Sequence, residues 1–69
     1  MGSMANNDTI AGAVLRARAE FLEMPGLKLT LAQAARLWAM DAATCAAVLR
    51  ALVDARFLVE AGNAFYTRA

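Results

Sequence analysis

The sequence predicts a small α+β domain, mainly helical, with three helices and a three-stranded antiparallel sheet. Three observations predict it. Apolar residues recur at helical spacing in the first half of the chain and again between Cys45 and Val53. Two helix-start signals, Thr30-Leu31-Ala32-Gln33 and Asp41, stand eleven positions apart with a turn between them. Last, Phe57-Leu58-Val59-Glu60 and Ala64-Phe65-Tyr66-Thr67 read as two strands around Gly62-Asn63, a favourable hairpin turn. A chain of 69 residues allows one domain.

Residues 1–7 form a polar lead without periodicity, expected to be disordered. Met1-Gly2-Ser3 reads as a cloning remnant, with Met4 as the natural start. The domain is expected to occupy residues 8–69. Asp8 is the first N-cap candidate, with Asn7 or Thr9 as substitutes. The first helix then runs from about Thr9 to Glu23. Ile10, Val14, Ala17, Phe21 and Met24 make one stripe, Leu15 and Leu22 widen it, and Arg16, Glu20 and Glu23 take the other side. Pro25-Gly26 ends this helix, since proline cannot continue it and glycine permits the turn. Leu27-Lys28-Leu29 alternates and is expected as a short edge strand.

The second helix starts in a capping box: the Thr30 hydroxyl meets the Gln33 amide and the Gln33 side chain returns to the Thr30 amide. Leu31, Ala34, Ala35 and Trp38 share its inner face. Ala39-Met40-Asp41 is the turn, with Met40 as a plug between two helices. Asp41 caps a third helix that buries Cys45, Val48, Leu49, Leu52 and Val53 and ends near Asp54-Ala55. The large anchors suffice for one core and leave no shell for a ligand cavity, so no cofactor is expected.

Composition narrows the function classes. The chain has 7 basic and 6 acidic side chains, no histidine and one cysteine, Cys45. An intramolecular disulfide, a zinc site of the usual Cys/His type and a Ser-His or Cys-His pair are therefore excluded for one chain. With phosphate-loop motifs also missing, no enzyme is expected. No apolar run approaches the ~18 residues of a transmembrane helix. No signal peptide is visible, so a cytoplasmic location is expected. A net charge of +1 and a pI of about 8.0 make a weaker global field than a freestanding DNA-binding domain commonly has.

The capped helix, tight turn, second capped helix and apolar hairpin over residues 9–68 resemble the small bacterial winged helix-turn-helix family. The residues that carry the resemblance are Leu29-Thr30, Ala32-Gln33-Ala34-Ala35-Arg36-Leu37-Trp38, Asp41, and Leu52-Val53-Asp54-Ala55-Arg56-Phe57-Leu58 entering the wing. The resemblance implies a transcriptional regulator that binds double-stranded DNA, as a dimer or within a complex. It implies that the third helix enters the major groove and that the wing touches phosphate or the minor groove. Arg56 sits where many members of this fold place a glycine; in a left-handed conformation it would cost roughly 1 kcal/mol.

Carried onto this chain, the DNA-facing set is Lys28, Thr30, Gln33, Arg36, Ala42, Ala43, Thr44, Ala46, Ala47, Arg50, Asn63 and Arg68. Arg50 is the one residue of the third helix suited to a guanine edge, while Thr44 suits a phosphate or a base. The start of the second helix, with Lys28, Gln33, Arg36, Arg56 and Arg68, suits backbone phosphates. The outward face of the third helix is otherwise alanine. That face is either inert or a docking surface for a second copy or another protein. The second function considered is accordingly a protein-interaction module that keeps the fold without the DNA-reading face. Bland readings stand beside the sharp ones: Arg50 as a solvated residue or a partner of Asp54, Cys45 as a small buried apolar residue, Trp38 as core.

Overall fold

The computed structural model describes residues 10–69. Three helices and three strands follow in the order α1 (Ile10–Glu23), β1 (Lys28–Thr30), α2 (Leu31–Leu37), α3 (Ala42–Asp54), β2 (Leu58–Ala61) and β3 (Phe65–Arg68). This is a small α+β, winged-helix-like fold. The sheet is antiparallel, with β3 in the middle between β1 and β2. None of the described helices is long and apolar enough to cross a membrane. The candidate cap Asp8, its substitutes Asn7 and Thr9, and the expected lead lie outside the described residues.

Local chemistry sets the helix boundaries. Thr30 Oγ1 accepts from the Gln33 amide at 3.1 Å, and Gln33 Oε1 accepts from the Thr30 amide at 2.9 Å, so the capping box is complete. Asp41 accepts from the Thr44 amide at 3.1 Å and starts α3. Both α2 and α3 end in the same way. At α2, Met40 N–H donates to Ala35 and Ala39 N–H to Arg36, at 2.9 and 3.3 Å. At α3, Phe57 N–H donates to Leu52 and Arg56 N–H to Val53, at 3.0 and 2.9 Å. These are Schellman pairs, which need a left-handed residue just past the helix. Ala39 takes it at φ 55° and Arg56 at φ 64°. Arg56 thus takes the left-handed state whose cost was weighed above; the same state at Ala39 is an addition.

The core gathers Phe21 from α1, Ala34 and Trp38 from α2 and its end, Cys45, Val48, Leu49 and Leu52 from α3, and Leu58 from β2. Trp38 is 2% exposed and meets the Phe21 ring edge-on, centroids 6.2 Å apart. It is core. Met40 packs against this cluster from the turn.

Three expectations are corrected. The buried stripe of α1 is Ala13, Ala17 and Phe21; Ile10, Leu15, Leu22 and Met24 are exposed, and Glu20 is half-buried. Alanine at 13 and 17 lets α1 approach α3 closely, and the larger residues then fall beyond the contact. Leu37, on α2, is also exposed. Each strand starts one residue later than expected, and the hairpin closes differently. Ala61 pairs with Phe65 across a 3₁₀ turn, Gly62–Ala64. The left-handed position of this three-residue loop is Ala64 at φ 62°. No described glycine has a positive φ. At the end of α1 the turn is made by Leu27 N–H donating to the Met24 carbonyl at 2.9 Å, with Pro25 supplying its fixed φ and Gly26 no left-handed backbone.

Candidate nucleic-acid interface

The outward face of α3 carries Ala43, Ala46, Ala47 and Arg50, all exposed, with Ala42 beside them at the first turn and Asp54 at the last. Their spacing of three and four residues places them on one stripe. The opposite face holds Cys45, Val48, Leu49 and Leu52 in the core. Until Arg50 the stripe offers methyl groups only. Among the described residues Arg50 forms no ion pair, with Asp54 or any other acid. The expected α3 residues are therefore together and accessible, Thr44 excepted.

Thr44 is half-buried and spent on its cap. Its hydroxyl donates to Asp41 Oδ1 at 2.7 Å, while its amide holds Oδ2. These two bonds hold the Asp41 carboxyl below its ordinary pKa. The start of α3 thus presents a firmly ionised carboxylate. Thr30 and Gln33 are tied to one another in the same fashion, which uses their acceptors and leaves the Gln33 amide hydrogens. Arg36 is exposed on α2.

The strands separate the remaining bases. Lys28 pairs with Thr67, and Arg68 with Leu58. Successive side chains of a strand point to opposite faces. Lys28 and Thr67 therefore share the outer face, with Lys28 Nζ 5.8 Å from the centre of the Phe65 ring. Arg68 shares the core-side face with the buried Leu58. It also stands at the base of the hairpin, whereas Asn63 lies in the turn at its tip.

The Arg68 guanidinium lies 4.5 Å from the centre of the Phe57 ring. Arg18, on α1, approaches the same ring at 5.1 Å. Sequence reading did not single out Arg18, and no local signal marks it, because its neighbours come from the far end of the chain. Cys45 is buried, and its thiol is pushed up by burial and then by the Asp41 charge. Its Sγ donates weakly to the Leu31 carbonyl at 3.9 Å. That describes an inert core thiol. Among the described residues, no group of three His, Cys, Asp or Glu is placed to hold a metal ion.

The geometry thus offers a flat, small-residue helix face with one guanidinium, flanked by exposed cations on α2 and the outer sheet face. No protein-family model, curated protein or solved structure matches this chain.

Proposed function

We propose that the chain is a non-enzymatic DNA-binding module, a cytoplasmic regulator that lays α3 in the major groove and acts as a dimer or within a complex. One observation carries this reading: the outward stripe of α3 has no side chain longer than a methyl from Ala42 to Ala47, and then Arg50. An α-helix with its side chains is about 10–12 Å across and enters a groove of about 12 Å width, and an alanine face lets its backbone approach the groove floor more closely. Arg50 then meets a guanine edge, and the alanine methyls meet thymine methyls. Lys28, Arg36 and Arg56 supply backbone contacts. Three phosphates neutralised by these residues give a log-log salt slope of about −2.7.

An amide NMR titration with a mixed-sequence duplex tests the reading at low and then moderate salt. Shifts along residues 42–50, reversed by salt and weakened by Arg36→Ala with Arg50→Ala, are expected. An unmoved spectrum at low salt overturns it.

A second reading is favoured by the tied polar groups. Thr30, Gln33 and Thr44 are engaged in caps, and Lys28 and Arg68 lie over aromatic rings. On that reading the alanine stripe docks a protein helix or a second copy, since small residues permit close approach. Ala46→Glu separates the two: it disrupts a dimer seen by solution mass if α3 is the interface.

A further inference from the structure

We propose that Arg18, Phe57 and Arg68 form a binding site for a phosphate group, separate from the outward face of α3. Phe57 is the fixed element. Its amide donates to Leu52 at 3.0 Å and its carbonyl accepts from the Ala69 amide at 3.1 Å, so its backbone is held from both sides. The half-buried ring packs against the core. Arg18 reaches it from α1 at 5.1 Å and Arg68 from β3 at 4.5 Å. The two guanidiniums are therefore within about 10 Å of one another, roughly a Debye length at 0.1 M salt. Two cations at that separation repel each other.

Among the described residues no carboxylate relieves this repulsion, and neither arginine pairs with one. Arg68 Nε is buried and has no acceptor. That donor is closed off by the surrounding chain, so the part of Arg68 open to a ligand is the outer edge of its half-buried guanidinium. A guanidinium lying over a ring uses its flat face, which leaves the terminal Nη donors at its edge for an anion. The ring restrains both forks before a ligand arrives, which lowers the ordering cost of binding. A phosphate, with several acceptor oxygens in tetrahedral array, serves two forks at once. The site does not rest on the DNA reading, because none of its residues lies on the α3 stripe.

The test follows the arginine Nε–Hε signals of the full chain by NMR. Inorganic phosphate is added against sodium chloride of equal ionic strength, and a mixed-sequence duplex is added in a second series. Phosphate is expected to shift the Arg18 and Arg68 signals and the Phe57 amide, saturating in the millimolar range, while chloride does not. Arg18→Gln and Arg68→Gln are each expected to weaken binding about tenfold, the loss of one charge-assisted hydrogen bond. Arg36→Gln leaves it unchanged. Arg18 is exposed on α1, so its replacement does not threaten the fold. A duplex that shifts these signals and competes with phosphate identifies the source as a nucleic-acid backbone. A duplex that leaves them unmoved, while phosphate still saturates, identifies a free phosphate compound. No phosphate-specific shift, or an affinity for phosphate unchanged by Arg18→Gln, overturns the site. The α3 amides report on the DNA reading in the same spectra, so either idea can fail alone.

Discussion

The two long helices pack against each other but bury themselves by opposite means. α3 turns Cys45, Val48, Leu49 and Leu52 inward and leaves alanines outside. α1 turns two alanines and Phe21 inward and leaves Leu15 and Leu22 outside, at 66% and 47% exposure. The difference teaches that one large and one small surface make a close helix pair. Large side chains on both would hold the helices apart and open voids. Size on a helix face therefore says little about burial until the partner's face is known.

That contrast can be broken most severely at Phe21, the one large residue of the α1 stripe. Phe21→Ala is expected to cost about 3–5 kcal/mol, enough to unfold much of so small a domain, read from the urea midpoint. Ala17→Leu tests the small side of the pair. It adds volume where none is free and is expected to cost about 1–3 kcal/mol. Leu15→Gln, on the outer face of the same helix, is expected to change stability by less than about 0.5 kcal/mol. If Ala17→Leu proves as mild as Leu15→Gln, the close approach of α1 to α3 is wrong.

The helix ends sharpen the contrast further. Arg56→Gly removes a left-handed Cβ that costs about 1 kcal/mol and is expected to raise the melting temperature; Ala39→Gly acts likewise at α2. Asp41 supplies a pH signature. Its carboxyl pKa is depressed in the folded chain by its bonds to Thr44. Its contribution is therefore full above the ordinary carboxylate pKa and is lost as the pH falls through the lower folded value. Asp41→Asn keeps an acceptor for the cap and removes that titration. The wild type is expected to lose more melting temperature than Asp41→Asn on acidification, as thermal scans from neutral pH downward would show.

How much was legible in the sequence follows from the range of the interactions. Thr30 with Gln33, and Asp41 with Thr44, bond three residues apart, so the helix starts can be read from spacing alone. The α3 stripe and Trp38 were legible because their large apolar residues do enter the core. The α1 stripe was misread, since Ile10, Leu15, Leu22 and Met24 outweigh Ala13 on any hydrophobic count. Gly62-Asn63 suggested the left-handed site in the wing, but the loop takes three residues and passes that conformation to Ala64. The α3 members of the candidate site share one exposed face, Thr44 excepted, because helical spacing decides it. Lys28 and Arg68 fall on opposite faces of the sheet, a placement set by strand pairing, which the sequence does not display. Arg18 and Arg68 meet at Phe57 only through tertiary packing.

The outward alanines of α3 have one more consequence, for change over time. Ala43, Ala46 and Ala47 make no side-chain bond and take no part in the core. Folding is thereby uncoupled from whatever this surface recognises. Single substitutions there to arginine, asparagine or glutamine leave the caps, the Trp38 cluster and the wing as they are. The domain can acquire, lose or exchange a binding specificity one side chain at a time, without passing through an unfolded ancestor.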